Sequence, residues 1–206
     1  MLANLRNDWN IGHRLLRKSV HHTRLTRASS APGTYVEINP FLCPLTDLLP
    51  DPLRPLRVVH MVREPASWAQ SITAFRASEQ YRGIIDFLPF AKPYPAPRPP
   101  GWRQLNDFEK ALWRWRWCNE RIVNLRSACD AYVVVRYEEL FSENIAEREA
   151  VIASIFETLD LPKVGRIDWP AYSTRINPRP PDDIQVDQEA TQRICGALAR
   201  ELGYAD

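Results

Sequence analysis

Arg63 and Ser71 are the two side chains of this sequence whose types and spacing best suit the binding of an anion. Arg63 directly follows a short apolar run, and Ser71 comes eight residues later, in the first turns of a predicted helix. A helix N-terminus presents free N–H groups and partial positive charge, which favour a phosphate. Arginine adds a bidentate donor and serine a hydroxyl, while Glu64-Pro65 fixes the turn between them. Residues 58–71 therefore predict a strand, a phosphate-holding turn and a helix start; an exposed arginine with a solvent-facing serine is the alternative.

The elements that must position this site alternate between helix and strand. Compact apolar runs predict strands over residues 57–62 and 132–136, and a β-branched and aromatic run predicts another over residues 34–38. Apolar periodicity predicts helices over residues 1–28, 41–49, 67–85, 106–129, 145–159 and 187–202. Such alternation is typical of an α/β fold with a parallel sheet and helices on both faces. Ligands of such sheets bind at the carboxyl ends of the strands, here residues 38–40, 63–71 and 136–140.

A proline-dense segment interrupts this pattern between two helices. Its prolines rule out a regular helix or a central strand: Pro89, Pro93, Pro95, Pro97, Pro99 and Pro100. A long irregular loop inside a compact domain is often a lid or a binding loop. A stiff surface excursion without function is the equal alternative.

Composition and charge exclude several classes of protein. The 206 residues suit one domain, and a net charge of +2 is too small for a nucleic-acid platform. Of the 27 basic residues 23 are arginines, which suits oxyanion binding or reflects genomic bias. The four cysteines form no CxxC pair and have no histidine at metal-ligand spacing, so we expect free thiols and no metal. Without a signal peptide or an apolar run of about 20 residues, the sequence predicts a cytoplasmic protein with no membrane span.

Several segments together resemble one family, the sulfotransferases that use 3′-phosphoadenosine 5′-phosphosulfate. Residues 57–71, RVVHMVREPASWAQS, are similar to its 3′-phosphate-binding element: an apolar strand, Arg-(Asp/Asn/Glu)-Pro, and a Ser eight residues after the Arg. Other similar segments follow the family's order: residues 35–40, YVEINP; residues 112–122, LWRWRWCNERI; residues 133–140, VVVRYEEL; residues 152–162, IASIFETLDLP; and the closing Leu202-Gly203-Tyr204. The resemblance spans residues 34–205.

The resemblance implies a three-layer sandwich with a mostly parallel sheet, similar to P-loop NTPases. It implies transfer of a sulfuryl group from 3′-phosphoadenosine 5′-phosphosulfate to a hydroxyl or amine. Arg63 and Ser71 would hold the 3′-phosphate of the cofactor, and Arg175 and Arg179 in the late loop, STRINPRPP, would join them. Trp68, beside the turn, could contact the adenine, although core packing is the alternative.

Sulfuryl transfer also needs a base for the proton of the acceptor. Glu37 lies near a predicted strand end, and His60 lies three residues before Arg63. We name both as candidates; a structural carboxylate and a neutral core histidine are the alternatives. His13, His21 and His22 belong to the basic first helix and are expected at the surface.

One departure from the family limits these implications. The Gly-rich, Ser/Thr-containing loop that would hold the 5′-phosphosulfate is not in this chain, where the early glycines Gly12 and Gly33 follow no strand. The first βα unit is thus missing from the pattern. Two functions stay open: a sulfotransferase, or a truncated or degenerate fragment that at most binds a nucleotide or a partner. A kinase-like protein is disfavoured, since GxxxxGK[ST] is absent.

The sequence leaves the acceptor open among carbohydrates, lipids, small metabolites and protein tyrosines, because variable loops form acceptor pockets. We also expect an exposed apolar surface where the first βα unit would pack, and such a surface favours aggregation or a homo-oligomer.

Overall fold

A computed structural model describes residues 1–50, 55–74, 82–91, 93–162, 165, 167 and 185–204. Within these ranges the helices are α1 (Leu2–Leu5), α2 (Trp9–Ser30), α3 (Pro65–Thr73), α4 (Arg82–Ile85), α5 (Asp107–Val123), α6 (Tyr137–Leu140), α7 (Ile145–Leu159) and α8 (Gln188–Glu201). The strands are β1 (Arg57–Val62) and β2 (Ala131–Arg136), and two 3-10 helices cover Pro40–Leu48 and Asn124–Ser127.

The two strands form a small parallel sheet. Their register pairs Arg57 with Ala131 at one end and Val62 with Arg136 at the other. Both strands therefore end at the same level, so the residues that follow them leave the sheet side by side. The parallel pairing predicted from the alternation of helices and strands is confirmed for these two strands.

Helices lie on both faces of the sheet, and successive side chains of β1 point to opposite faces. His60 faces α5, where its ring contacts Asn119. Arg57 has the opposite orientation and bonds Asp160 at the end of α7, with 3.0 Å between Nη2 and Oδ2. Helix α5 also packs against α3 and α8, while α7 contacts both strands.

The main core lies between the sheet and the helices α3, α5 and α8. Each of these helices contributes small or apolar residues at helical spacing, which close packing of three helices requires. Helices α5 and α8 contribute four residues each, and the core consists of Val62, Ala66, Ala69, Phe108, Ala111, Leu112, Trp115, Ala190, Cys195, Leu198, Ala199 and Leu202.

Short polar side chains fix where the long helices begin. Asp8, Asn144 and Asp187 each accept a backbone N–H of the helix that follows them. Asn106 starts α5 with a reciprocal capping box, in which Glu109 bonds back to the Asn106 N–H. Such caps satisfy N–H groups that have no partner inside the helix.

The predicted strand at residues 34–38 is wrong. This segment is irregular, and its β-branched residues are largely solvent-exposed; Ile38 is 95% exposed. A strand exists only through pairing with another strand, and β1 and β2 pair with each other alone within the described ranges. Helix 41–49 is confirmed in the form of the 3-10 helix, and helix 67–85 corresponds to α3 and α4, with residues 75–81 outside the described ranges.

The proline-dense segment packs into the molecule rather than projecting from it. Tyr94 is only 2% exposed and stacks on Trp113 of α5, with 6.2 Å between ring centroids. Arg98 lies over the Tyr94 ring and pairs with Asp86 at 2.5 Å. Residues 94–96 are buried, so this part of the loop serves as a wall of the core. No helix in the described part of the chain is long and apolar enough to cross a bilayer.

Candidate anion site

Arg63 and Tyr137 meet at the carboxyl end of the sheet. Each residue directly follows the last residue of a strand, and the parallel register brings these positions together. The guanidinium carbon of Arg63 lies 5.1 Å from the centroid of the Tyr137 ring. A cation over an aromatic face is held by the negative charge of the ring face. This role of Tyr137 was not predicted, although the residue lies at the predicted strand end.

Ser67 connects Arg63 to helix α3. Its Oγ atom accepts two hydrogen bonds from Arg63, at 2.7 Å from Nη2 and 3.1 Å from Nε. Ser71 lies four residues further, hence on the same side of α3 and about 6 Å along the axis. Arg63, Ser67 and Ser71 therefore line one edge of the helix. The spacing of four residues between successive members was the signal that could have identified Ser67.

The helix N-terminus itself is already occupied. Glu64 accepts from the N–H of Ala66 at 2.8 Å and from that of Ser67 at 2.5 Å. The sequence predicts that these N–H groups are free for a phosphate, and the structure contradicts this because the Glu64 carboxylate satisfies them. Any anion in this region must therefore be held by side chains.

Three contacts fix the backbone of the turn, and a fourth joins two of the side chains that make them. The indole Nε1 of Trp115 donates to the carbonyl oxygen of Arg63 at 2.9 Å, and the N–H of Glu64 donates to Oε1 of Glu138 at 2.9 Å. The Tyr204 hydroxyl lies 2.8 Å from Oε2 of Glu138 and 3.2 Å from the carbonyl oxygen of Val62. Burial and the neighbouring Glu138 raise the pKa of Tyr204, so the hydroxyl stays a donor.

A shallow acidic cavity adjoins this turn. Its volume is about 330 Å³, and its lining residues are Glu64, Arg136, Glu138, Glu139, Glu147 and Tyr204. Arg136 is paired with Glu139. The hydrogen bond between them raises the pKa of Arg136 and lowers the pKa of Glu139. Four carboxylates against one guanidinium disfavour an anion in this cavity. A phosphate near Arg63 is thus directed toward Ser67 and Ser71.

His60 lies in the core and is 1% exposed. Its Nε2 is 2.7 Å from Oδ1 of Asn119, whose amide donates to the carbonyl of Trp115, so Nε2 carries the proton. Its Nδ1 is 2.6 Å from the hydroxyl of Tyr132. Burial lowers the pKa of His60, and nearby Arg126 lowers it further, against the effect of Asn119. With both ring nitrogens engaged, His60 has the environment of a neutral structural histidine.

Three donors bind the Glu37 carboxylate, so it is not free to accept a proton from an acceptor. Arg24 binds it with Nη2 3.1 Å from Oε1, and Tyr35 and Asn39 donate to it at 3.0 Å and 2.9 Å. Burial raises its pKa, but the hydrogen bonds from Asn39, Arg24 and Tyr35 outweigh burial and leave that pKa lowered. In this arrangement Glu37 ties an irregular segment to α2, and the structure does not bring it together with His60.

The remaining predicted site residues have separate outcomes. Trp68 packs against the core, and the guanidinium of Arg114 covers its ring at 5.5 Å, as the core-packing alternative requires. Arg175 and Arg179 lie outside the described residues. Across the described part of the chain, no three His, Cys, Asp or Glu side chains are grouped to hold a metal ion.

Comparisons with known proteins found no match for this chain. No protein-family model matches it, and neither do curated proteins or solved structures.

Proposed function

We propose that this chain is a sulfotransferase-like protein that binds 3′-phosphoadenosine 5′-phosphosulfate and moves its sulfuryl group to a hydroxyl or amine acceptor. The observation that supports this is the arrangement of donors after β1: the Arg63 guanidinium is 2.7 Å from Ser67, with Ser71 one helical turn further. In this proposal the two strands belong to a three-layer sandwich related to P-loop NTPases.

The 3′-phosphate is the group that these side chains hold. Arginine binds phosphate in a bidentate way, and serine hydroxyls add single donors. Because Ser67 accepts from Arg63, its own hydroxyl proton is free to point at a phosphate oxygen. The contacts to Ser67 and Tyr137 hold the guanidinium in place before the ligand arrives, which reduces the entropy lost on binding.

The cofactor supplies an activated sulfuryl group, which passes to the acceptor as its bond to the 5′-phosphate breaks. The protein must align the two partners, neutralise charge on the leaving oxygen and receive the proton of the acceptor. Arg63 and Ser71 contribute to alignment through the distant 3′-phosphate. Binding energy from such a non-reacting group can be used for positioning at the reacting centre.

A second candidate function is binding of the nucleotide without transfer. It is favoured by the environment of the two candidate bases, since His60 is sealed in the core and Glu37 is ion-paired with Arg24. Under this alternative the chain is a nucleotide- or partner-binding module.

Calorimetric titration separates the phosphate site from general nucleotide binding. We expect 3′-phosphoadenosine 5′-phosphate to bind about 10- to 100-fold more tightly than adenosine 5′-phosphate, as a charge-assisted contact of about 1.5–3 kcal/mol requires. Arg63→Met should remove this difference. Arg57→Met, at the other end of β1, is the matched control and should keep it. Equal affinity of the parent protein for the two nucleotides would refute the site.

Catalysis is tested with sulfur-labelled cofactor and a panel of carbohydrate, phenol and amine acceptors. Acceptor-dependent transfer that is lost in Arg63→Met supports the sulfotransferase. Tight nucleotide binding without any transfer supports the non-catalytic module.

A further inference from the structure

The thiols of Cys43 and Cys118 meet where the first 3-10 helix packs against α5. Their side chains share a hydrogen bond. Both are free cysteines, and both residues are partly exposed. A disulfide has a short bond and a narrow range of geometries, so it forms without a large backbone movement only between thiols that are already neighbours. Cys43 and Cys118 meet this condition.

The register of the two helices places these thiols together. Thr46 lies one turn after Cys43 in the 3-10 helix, and its hydroxyl donates to the carbonyl oxygen of Arg121 at 3.1 Å. Arg121 lies three residues after Cys118 in α5, and its Nη2 donates to Oδ1 of Asp47 at 3.2 Å. Residues three apart share a face in both kinds of helix. The thiol pair and the Thr46–Arg121 contact are therefore successive steps of one interface, which holds the two sulfurs in place.

Positive charge acts on the thiol pair. The guanidinium of Arg114 favours the thiolate form of both cysteines, and that of Arg121 favours it at Cys118. Asp47 is the acidic residue of the 3-10 helix, and its carboxylate is paired with Arg121. The hydrogen bond between the thiols lowers the pKa of Cys43 despite burial, and it raises the pKa of Cys118 together with burial. Cys43 therefore carries the reactive thiolate, and Cys118 keeps its proton.

We propose that Cys43 and Cys118 form a modification site, at which hydrogen peroxide oxidises the two thiols to a disulfide between the first 3-10 helix and α5. The Cys43 thiolate attacks one oxygen of the peroxide, the O–O bond breaks, and the other oxygen leaves as hydroxide and takes up a proton. The sulfur of Cys118 then loses its proton and attacks the sulfenic acid on Cys43, whose hydroxyl group leaves as water as the S–S bond forms. The thiols together lose two electrons, and the peroxide becomes two molecules of water.

The remaining two cysteines have different environments and serve as internal controls. Cys195 is 1% exposed, and its thiol donates to the carbonyl oxygen of Leu112 at 3.4 Å. The thiol of Cys129 donates to the carbonyl oxygen of Arg126 at 3.8 Å. Both sulfurs of the proposed site come from outside the anion site, so the test of this assignment does not depend on the proposed transfer reaction.

Oxidation of the full chain followed by peptide mapping tests the assignment. The reduced protein is treated with a small excess of hydrogen peroxide, its remaining thiols are blocked with iodoacetamide, and its peptides are analysed by mass spectrometry without reduction. We expect a peptide that links Cys43 to Cys118, a protein mass lower by two hydrogen atoms, and recovery of both thiols with dithiothreitol. The linked form should unfold at a temperature about 5–10 °C higher, because the bridge closes a long loop of the unfolded chain.

Single-cysteine variants assign the two roles. In Cys118→Ala the sulfenic acid on Cys43 has no thiol beside it and should accumulate, which labelling with dimedone detects. In Cys43→Ala the labelling of Cys118 should be at least about tenfold lower than that of Cys43 in the first variant, because the Cys118 thiol keeps its proton. The matched control Cys129→Ala should form the Cys43–Cys118 bridge at the same rate as the parent protein.

Three results would overturn the proposal. The first is no bridge between Cys43 and Cys118 in the parent protein, with Cys43 oxidised no faster than Cys195. The second is a bridge that forms mainly between two molecules or through Cys129. The third is equal dimedone labelling in the two single-cysteine variants, which would remove the assigned order of the two steps. Peptide mapping uses the parent protein, so the first two results decide the question even if a variant fails to fold.

Discussion

The indole Nε1 of Trp115 donates a 2.9 Å hydrogen bond to the carbonyl oxygen of Arg63, so α5 holds the exit of β1 by its backbone. Trp115 is 2% exposed, and removal of its N–H leaves a carbonyl without that partner. We expect Trp115→Phe to lower the free energy of unfolding by about 1–3 kcal/mol and to weaken the binding of 3′-phosphoadenosine 5′-phosphate. Denaturant unfolding and calorimetry measure the two effects. Trp113→Phe, which leaves the Arg63 carbonyl bonded, should lose stability without losing the preference for the 3′-phosphate.

The charge of Glu64 opposes any anion bound beside it. Its carboxylate caps α3 and lies next to Arg63 in the sequence. Glu64→Gln keeps one acceptor for the cap but removes the charge, so we expect a few-fold gain in affinity for 3′-phosphoadenosine 5′-phosphate. The gain should shrink in high salt, which screens charges. An unchanged affinity at low salt would show that the phosphate binds elsewhere. Glu143→Gln, outside the acidic cavity, is the control.

His60 predicts how stability depends on pH. Its pKa in the fold is lowered, chiefly by burial, below the ordinary value near 6.5. The unfolded chain therefore binds more protons, and the contribution of His60 is fully present above about pH 6.5 and is lost as the pH falls through the folded pKa. His60→Gln should flatten this part of the pH–stability curve, measured by urea unfolding from about pH 7.5 to 5. A parallel curve in the variant would contradict the prediction.

Glu37 affects stability in a lower pH range than His60 does. Because its pKa is lowered by its hydrogen bonds despite burial, the stabilisation that it gives is present above the ordinary glutamate value of 4.5 and is lost as the pH falls through the folded pKa. Glu37→Gln should release residues 31–39 at neutral pH, with faster proteolysis there and little change in the sheet. Hydrogen exchange of these residues is the measurement. Equal protection in parent and variant would count against the Arg24–Glu37 contact.

The cysteines should differ in reactivity. A hydrogen bond from Cys118 lowers the pKa of Cys43 despite burial, whereas burial raises the pKa of Cys195 to about 12. Since the thiolate is the reactive form, iodoacetamide at about pH 8.5 should label Cys43 well before Cys195. Mass spectrometry of quenched samples gives the order. Cys118→Ala should slow labelling of Cys43, and labelling of Cys195 first would contradict the assignment.

The sequence predicted correctly those elements whose ends are marked by residues directly beside them. Strand β1 is bounded by prolines and a charged pair, and α7 by Asn144 and Leu161-Pro162, so both were predicted at their observed bounds. Residues 34–38 have the composition of a strand, but composition cannot supply a partner strand. The end of α3 at Thr73 was also missed, because the apolar spacing of the sequence continues beyond it.

The part of the site that lies within one strand–turn–helix segment was predictable from the sequence. Arg63 and Ser71 were found by spacing, and Ser67 lies on the same line. Tyr137 could not be found in this way, since it meets Arg63 only through the register of two distant segments. Likewise the capping of α3 by Glu64 depends on a rotamer, and the burial of His60 depends on α5, neither of which the sequence of the turn reveals.

Helix α5 reaches two separate parts of the molecule: Trp115 holds the turn of the anion site, and Arg121 donates to Asp47 of the first 3-10 helix. The turn after β1 and the first 3-10 helix are therefore both held in place by the same helix. If a ligand bound at one end of α5 changes the affinity for a ligand at the other end, thermodynamic linkage makes the effect reciprocal and equal in factor. A ligand near Arg121 that strengthens nucleotide binding would itself be bound more tightly by the same factor in the presence of the nucleotide, and the two affinities, measured together, would report how strongly α5 couples its two ends.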